Sequence, residues 1–448
     1  MTQCIGQLQL GLLQRKQLIG EFDGGDISSD GGLMLVAKAD QRLGLTARLA
    51  ACLVDWRQAA KVRHRMHELL AQRVYQIAAG YEDCNDAADL RHDPVLKTAV
   101  GRLPKTGRDL ASQPTLSRFE NGVGRRELWQ MARQLVECFI EQHAQSRPRR
   151  IILDFDATED PTHGQQQLAG FHGYYGEHCY LPLIVTAQVD AGPQELVVAL
   201  LRRGRSHASA NALAVLRRLV ARLRAQWPEV EIVLRADSGF AVPALYAWCE
   251  AQQLPVRYLI GLAKNPRVLE LAQPHLKAAR SEHARTAEKV RHIHELWYAA
   301  DSWPHLRRVL AKAEVTDKGD NPRFVVTNLE GEVAALYELY AARGEMENRI
   351  KELKTDLQMD RTSCHRFAAN QFRVLLHAAA YVLLSLLRRA LTGTRLAAAQ
   401  VSTLQRSLLK LGVRVRESAR RVWLGFASSC PVQELWPVVL ARLEAGDP

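Results

Sequence analysis

The stretch RRIILDFDATED, residues 149–160, marks the point where helical patterns give way to strand patterns. Its centre, from Ile151 to Asp156, is rich in apolar β-forming residues and is framed by arginines and a polar turn, which predicts a short strand. Side chains alternate between the two faces of a strand, so Asp154 and Asp156 point to the same face. The stretch therefore predicts a buried strand that carries two carboxylates towards its C-terminal end.

The elements that follow decide the fold class. The sequence predicts, in order, two strands, a helix, a strand, a helix and a strand, at Leu181–Val189, Glu195–Leu201, Ala208–Gln226, Glu231–Ala236, Val242–Gln252 and Val256–Gly261. This order fits a three-layer α/β sheet in which a meander leads into parallel strands, as in an RNase H-like core. A doubly wound nucleotide-binding fold would alternate strand and helix from the start, and no glycine-rich phosphate-binding motif follows any strand.

Outside this core the patterns predict three further regions. Residues 1–148 are expected to form a helical N-terminal, DNA-binding region, residues 262–330 a β-rich insertion, and residues 393–448 a basic C-terminal region. The first part of the core is then 149–261, and a long helical tract from Val333 to Leu391 supplies its C-terminal helices within 331–392. Basic residues cluster in Ala59–Gly80, expected as a helix, and in Arg406–Arg421. Either cluster can lie on a DNA backbone or simply face solvent. The basic residues of the first cluster are Lys61, Arg63, Arg65 and Arg73.

Charge and composition narrow the class of partner. The 448 residues include 60 Lys and Arg against 48 Asp and Glu, a formal net charge of +12. Such a surplus suggests a polyanion, with nucleic acid the first candidate and a membrane surface the second, although a genome that favours arginine codons would produce it too. A hydrophobic content of 47% excludes a largely disordered chain.

Several features favour a cytoplasmic protein. The N-terminus shows no signal-peptide pattern, and the longest apolar run, Val374–Leu387, is shorter than a membrane span and is expected as a buried helix. The eight cysteines are scattered without a CxxC pair. Neither a zinc site nor a disulfide framework is therefore expected.

Three carboxylates are predicted where elements end. Asp156 ends the first strand, and Asp237 follows the apolar strand 231–236 in the segment RADSGF. The third, Glu347, lies on the helical tract with Tyr340, Arg343 and Lys354; at about 100° per residue these four fall within about 60° of one another. The pattern predicts one polar helix face, beside an apolar stripe formed by Met346, Ile350, Leu353 and Leu357. A solvated salt-bridge face would produce the same pattern.

Two aspartates and a glutamate are hard oxygen ligands of the kind that Mg²⁺ or Mn²⁺ prefers. Two such ions, about 4 Å apart, can activate one oxygen and stabilise another during displacement at a phosphodiester. Arg343 and Lys354, beside Glu347, would then hold the phosphates of the strand being cut.

The residues Tyr340-x2-Arg343-x3-Glu347-x6-Lys354 resemble the Y-R-E-K signature of a large class of bacterial insertion-sequence DDE transposases. Five further stretches are similar to insertion-sequence group thirteen-eighty: Gly80–Pro94, Leu110–Asn121, Asp154–Gln167, Gly173–Leu183 and Arg235–Phe240. The resemblance implies an RNase H-like core, two Mg²⁺ or Mn²⁺ ions, and a β-rich insertion between the second and third acids.

The resemblance also implies residue roles. Asp156, Asp237 and Glu347 become the catalytic, metal-binding acids, and Asp156 is chosen over Asp154 because the family places the first acid before a small residue and Thr. Tyr340, Arg343 and Lys354 would contact DNA near the cut. A Trp of the insertion, Trp303 or Trp297, would receive a flipped base, unless both tryptophans only pack.

The expected function is cleavage at the ends of a mobile element and joining of the freed 3′-OH to target DNA. The partners would be terminal inverted repeats, target DNA and a second copy of the chain, with no membrane involved. The alternatives are a catalytically inactive DNA-binding derivative that acts as a repressor and a cellular RNase H-like nuclease.

Overall fold

The computed structural model describes residues 7–445 and divides them into two compact units. The terminal unit runs from the start of the described chain to Glu127 and includes Asp356–Gln358 and the residues from Ala379 onwards. The sheet unit consists of Leu128–Thr355 and Met359–Ala378. The fold is mixed α/β, with helices in both units and one large mixed sheet.

The first part of the terminal unit is mainly helical. Its elements are β1 (Leu8–Leu13), β2 (Lys16–Gly20), β3 (Ile27–Ser28), α1 (Leu33–Leu43), α2 (Leu45–Ala51), α3 (Met66–Ala78), α4 (Ala87–Leu90), α5 (Pro94–Ala99) and α6 (Gln113–Asn121). Local caps set several of these boundaries. The Asp93 side chain accepts the N–H of Leu96 at the start of α5, and Glu68 accepts the N–H of Arg65 at the start of α3.

The predicted helix Ala59–Gly80 is wrong in its first part. Ala59–Lys61 form a single 3₁₀ turn, and α3 begins only at Met66, where the Glu68 cap lies. Arg73 is also not on an exposed cationic face: its side chain is fully buried, and its Nε donates to Oε1 of Glu120 at 2.7 Å. The carboxylate of a residue 47 positions away thus turns this arginine inwards.

The sheet unit contains the elements that carry the candidate site. They are α7 (Arg125–Gln142), β4 (Arg150–Ala157), β5 (Asp160–Pro161), β6 (Gly170–His172), β7 (Glu177–Tyr180), β8 (Leu183–Val189), β9 (Gln194–Leu200), α8 (Ala212–Gln226), β10 (Glu231–Ala236), α9 (Pro243–Glu250), β11 (Arg257–Leu262), α10 (Pro266–Thr286), β12 (Val290–Tyr298), β13 (Arg307–Thr316), β14 (Gly319–Asp320), β15 (Arg323–Thr327), α11 (Val333–Ala341) and α12 (Gly344–Lys351). All strands and helices predicted between 151 and 261 are present, with boundaries shifted by at most a few residues. β10 has the predicted bounds.

The large sheet has the strand order β12-β13-β15-β11-β10-β4-β8-β9, with β14 paired to β13. β10 runs parallel to both β4 and β11, and the other pairs are antiparallel. The central strands are buried on both faces. Ile151, Leu153 and Phe155 pack in the larger core on one face, and Ile152 packs in a smaller core on the other.

Residues 262–330 contain a long helix as well as strands. After α10, the strands β12, β13 and β15 extend the large sheet, because β15 pairs with β11. The β-like stretches expected from the sequence are therefore part of the central sheet and form no separate layer.

The helical tract predicted from Val333 to Leu391 consists of separate helices joined by irregular turns. Between α11 and α12 the bonds Arg343 N–H to Tyr340 and Met346 N–H to Arg343 span three residues instead of four and tighten the chain into a turn. α12 continues into a π-helical turn, Glu352–Asp356, and Gln358 has a positive φ of 54°. The next helix, α13, begins only at Phe367.

The chain belongs to the terminal unit again from Ala379, within the helix α13. α13 (Phe367–Ala390) is followed by α14 (Val401–Leu404), a π-helical turn (Gln405–Leu409), β16 (Val413–Glu417), β17 (Val422–Phe426) and α15 (Leu435–Ala445). α13 is the one helix of the described chain with the length and hydropathy of a membrane span, but most of it is buried in protein, as predicted for Val374–Leu387. The seven described cysteines are free, and Cys4 lies outside the described residues.

Candidate active site

Two aspartates meet at the C-terminal ends of neighbouring parallel strands. β4 and β10 pair with Phe155 opposite Ala236, so Asp156 and Asp237 follow side by side. Oδ1 of Asp156 accepts the N–H of Ala157 at 2.9 Å, and Asp237 accepts the N–H of Gly239 at 2.9 Å, which caps a 3₁₀ turn at Ser238–Phe240. These local bonds hold both carboxylates at the edge of the sheet.

The electrostatics of this pair are unfavourable to two negative charges. The pKa of Asp156 is raised to about 6, chiefly by burial; Arg343 lowers this pKa and the neighbouring Asp237 raises it. A carboxylate disfavoured in its charged form by burial and by a second carboxylate is typical of functional sites. The site therefore favours an additional positive charge.

Arg343 supplies one such charge. Its Nη1 donates to Oδ2 of Asp156 at 3.1 Å and its Nη2 donates to Oε1 of Glu347 at 2.9 Å. One guanidinium thus bridges the first and third predicted acids, although they are far apart in sequence. Asp156 is largely buried, whereas the Glu347 side chain is 64% exposed.

Tyr340 lies beside this cluster and depends on a glycine. The β-carbon of any larger residue at position 261 would come within 2.7 Å of the Tyr340 hydroxyl, so Gly261 leaves the space in which this ring sits. Burial raises the pKa of Tyr340, Arg343 lowers it and Asp237 raises it. The structure thus places Tyr340 and Arg343 beside Asp156 and Asp237, and it links Glu347 to Asp156 only through Arg343.

Lys354 lies further along the same edge. Its Nζ donates to Oε1 of Glu159 at 2.6 Å and to the carbonyl of Glu159 at 2.9 Å, just after β4 ends. Lys354 belongs to the π-helical turn, so the regular spacing assumed for one straight helix does not hold there. In the described part of the chain no ion pair joins Lys354 to Asp156, Asp237 or Glu347.

Asp154 has a different role from Asp156. It is fully buried, and its two oxygens accept Nε and Nη2 of Arg235 at 2.7 and 2.6 Å. Gln194 donates a third bond to Oδ2 at 2.7 Å. Because these partners occupy both oxygens, the geometry favours Asp156 as the first acid.

The two candidate tryptophans of the insertion differ in exposure. Trp303 is only 8% exposed and packs against Tyr246 and Tyr298, with the Arg307 guanidinium 5.2 Å from its ring. This environment favours the packing role for Trp303, the alternative to the base contact that the sequence left open. Trp297, 57% exposed, is the accessible one of the pair.

A family model described as transposase DDE domain group 1 matches residues 10–447. The chain belongs to this family. Transposition, DNA recombination and DNA binding by a mobile-element protein follow from that membership. The transposase is also similar to a solved structure, the cryo-EM structure of the piggyBac transposase synaptic complex with hairpin DNA, at 11% identity and a TM-score of 0.42, over 85% of this chain and 79% of that one. No curated protein matches it.

DDE transposases generally use divalent metals, and the donor chemistry of this site fits them. Asp156, Asp237 and Glu347 offer only hard carboxylate oxygens, and burial, with a smaller contribution from Asp237, raises the pKa of Asp156, so that a bound cation would stabilise its charged form. Between residues 7 and 445, however, no three His, Cys, Asp or Glu side chains already stand close enough to hold an ion. Arg343 occupies the position between Asp156 and Glu347, so the third acid joins the first only if this guanidinium moves.

Two residues that support the transposase site were not assigned from the sequence. Arg235 lies within the segment RADSGF, yet its partner Asp154 is on another strand, and Glu159 pairs with Lys354 across almost 200 positions. An arginine in a buried apolar strand indicates that a carboxylate is buried beside it, but no local sequence pattern identifies that carboxylate.

Arg343→Gln is expected to strengthen Mn²⁺ binding by the DNA-free transposase about tenfold or more. The change removes a cation that competes for Asp156 and Glu347, and hydrogen bonds to charged groups are worth about 1.5–3 kcal/mol. Calorimetric titration with Mn²⁺ measures the difference. Arg349→Gln is the matched control, because Arg349 lies on the same helix and pairs with Glu345 and Glu352. Unchanged or weaker binding by Arg343→Gln would contradict a competing role.

Proposed function

We propose that this transposase hydrolyses a phosphodiester bond at each end of an insertion sequence and joins the freed 3′-OH ends to target DNA. The observation that carries the proposal is the juxtaposition of Asp156 and Asp237 at one sheet edge, with Glu347 linked to Asp156 through Arg343. Membership of the DDE transposase family supports it. We also propose that the large sheet and its helices form an RNase H-like core, and that the chain belongs to the Y-R-E-K class and to insertion-sequence group thirteen-eighty.

In this proposal Asp156, Asp237 and Glu347 hold two Mg²⁺ or Mn²⁺ ions. Bound divalent cations supply Lewis-acid activation of the attacking oxygen and charge stabilisation of the leaving oxygen. In the first step water attacks phosphorus, the bond to the 3′-oxygen breaks, and that oxygen leaves as a 3′-OH while the phosphate stays on the flanking strand. In the second step this 3′-OH attacks a target phosphodiester and releases a new 3′-OH.

The protein's own part is to bind and orient the DNA. Arg343, once released from the two acids, offers a planar pair of donors that matches a phosphate. Lys354, at the neighbouring edge, supplies a second phosphate contact, and Tyr340 fixes the position of the helical turn that carries Arg343. No nucleophilic Ser or Cys is required.

We further propose terminal inverted repeats and target DNA as the substrates, a homodimer as the unit that acts on two ends, and the bacterial cytoplasm as the site of action. A pair of ends must be cut and joined together, which two copies of one active site accomplish most simply. Trp297 takes the place of Trp303 as the candidate base contact of the insertion.

The wild-type protein is expected to nick a plasmid at both boundaries of the element that encodes it, in Mg²⁺ and not in EDTA. Mapping the cut ends on sequencing gels and testing them for a free 3′-OH measures this, and a plasmid with scrambled boundaries is the control. Binding without cleavage would indicate the DNA-binding derivative instead. Cleavage that ignores the boundaries would indicate a general nuclease, and either result would overturn the proposal.

A further inference from the structure

The terminal unit contains a cleft of about 940 Å³ that the proposed active site does not use. Its wall combines the loop before α3 with the segment before α6 and the outer side of α6 itself. Residues lining it include Leu53, Trp56, Met66 and Phe119. The cleft thus joins apolar surface to the basic segment that the sequence had suggested for DNA contact.

Positive charge dominates the lining. Six Arg or Lys side chains face two carboxylates there; the cations are Arg57, Lys61, Arg63, Arg91, Arg108 and Arg118. Both carboxylates are engaged: Asp109 pairs with His92 at 3.1 Å, and Glu127 accepts backbone N–H groups of Val54 and Gly124. The surplus charge is therefore not neutralised by the acids of the cleft.

Among the described residues, Arg57 is the only one of the six with a carboxylate partner, and three of the others stand out because their side chains also make no hydrogen bond, unlike Arg91 and Arg118. Among the residues that the structure describes, no carboxylate lies within 4.0 Å of the side-chain nitrogens of Lys61, Arg63 or Arg108. The pKa of His64, which also lines the cleft, is lowered by burial and by the nearby charges of Arg102, Arg57 and Arg63. The cleft thus has a positive field that an anion would relieve.

An aromatic ring stands at the same cleft. Trp56 lines the cleft and is 83% exposed, the largest exposed fraction of any Trp among the described residues. A cationic groove with an exposed aromatic ring is the combination by which proteins bind single-stranded nucleic acid, with phosphates on the cations and bases on the ring. The volume, near the upper end of the roughly 300–1,000 Å³ of ordinary ligand pockets, suits a few nucleotides of one strand.

We propose that this cleft binds a short segment of single-stranded DNA, with phosphates on Lys61, Arg63 and Arg108 and a base stacked on Trp56. The identification of the anion as DNA rests on the proposed transposase function, because cut ends expose unpaired strands. Binding of the strand in the cleft does not depend on Asp156, Asp237 or Glu347. The cleft is a second DNA site, distinct from the one at which strands are cut.

The first test compares Trp56→Ala, Trp56→Leu and Trp56→Phe in the full chain. Binding of a fluorescein-labelled oligo(dT) octamer is followed by anisotropy in EDTA, so that no cleavage occurs. The affinity is expected to fall about 5- to 150-fold for Ala and Leu, the loss typical of one base–aromatic stack, and much less for Phe. Equal losses for Leu and Phe, or none for Ala, would overturn the stacking assignment.

The second test removes charge. Arg63→Gln combined with Arg108→Gln is expected to weaken octamer binding and to reduce the slope of log K against log salt by about 1.4, or about 0.7 for each phosphate contact. The matched control, Arg15→Gln combined with Arg147→Gln, removes the same charge from exposed positions outside the cleft and should leave the slope unchanged. Equal slopes for the two double variants would overturn the site.

Two competitors identify the ligand. Excess duplex of the same length and a glutamate decamer are each expected to displace the labelled octamer far less well than unlabelled octamer does. Displacement by duplex would show a duplex track, displacement by the peptide would show a general polyanion site, and either would overturn the proposal. If the wild-type protein binds the octamer but does not cut element ends, the proposed function is overturned and this inference stands. If it cuts element ends but does not bind the octamer in the cleft, only this inference is overturned.

Discussion

Asp237→Asn is expected to reduce Mg²⁺-dependent cleavage of element-end DNA about 10³-fold while leaving the binding of that DNA unchanged. Asp237 stands beside Asp156 at the carboxyl ends of two parallel strands. Loss of one carboxylate removes several kcal/mol of the charge stabilisation that the reacting oxygens require, and each 1.36 kcal/mol is a factor of ten in rate. Single-turnover cleavage of a labelled end substrate measures the rate, and a gel-shift titration in Ca²⁺ measures binding.

Asparagine is preferable to alanine at this position because Asp237 also has a structural task. Its side chain accepts the N–H of Gly239 and caps the turn at Ser238–Phe240, and removal of such a cap costs about 0.5–2 kcal/mol. Asparagine keeps an acceptor oxygen there. The matched control is Asp317→Asn, a change at a side chain that is 92% exposed in the same unit. Cleavage by Asp237→Asn at the control rate would contradict the assignment of the site.

The sequence predicts the central elements well because their signals are local. Strand β10 contains the apolar run Ile232–Leu234 and is followed by an acid, a serine and a glycine, so both its end and the position of Asp237 can be predicted from a short stretch of sequence. The side-by-side placement of Asp156 and Asp237 follows once β4 and β10 are recognised as parallel neighbours. These features need only short-range patterns and the geometry of a parallel sheet.

The features that the sequence does not predict depend on distant partners. Arg73 turns inwards because of Glu120, and Arg343 lies between Asp156 and Glu347 only after the chain has brought α12 to the sheet edge. Between α11 and α12 the backbone hydrogen bonds join residues three positions apart instead of four, and no proline in the sequence indicates this break. Periodicity could thus identify the polar face that carries Glu347, but not the turn that aims Arg343 at Asp156.

The pair Asp154 and Asp156 gives the second large effect, because the same substitution at the two positions is expected to change stability in opposite directions. Asp154→Asn should lower the free energy of unfolding by about 3–5 kcal/mol at pH 8. It leaves the fully buried Arg235 guanidinium without its counter-charge, and removal of one partner from a buried ion pair has this cost. Urea unfolding followed by circular dichroism measures the change.

Asp156→Asn should instead stabilise the protein at pH 8, by about 1–3 kcal/mol. Burial and Asp237 raise the pKa of Asp156 to about 6 in the folded protein, above the ordinary value of 3.8, so the folded state binds this proton more tightly than the unfolded state does. The free energy of unfolding of the wild type therefore falls as the pH rises from about 4 to about 6, and stays lower above that range. An asparagine cannot ionise and escapes this loss.

The pH dependence separates the two aspartates. At pH 4.5 Asp156 is mostly protonated in the folded wild type but mostly ionised in the unfolded chain, so the gain from Asp156→Asn should fall to about a third of its value at pH 8. A loss of stability with Asp156→Asn at pH 8 would show that its bond to Arg343 outweighs the repulsion from Asp237. A substitution that stabilises the fold and abolishes cleavage identifies a catalytic carboxylate. A substitution that destabilises the fold identifies a carboxylate in a structural ion pair. Stability and cleavage measurements on the two variants therefore decide which of the two aspartates of β4 belongs to the active site.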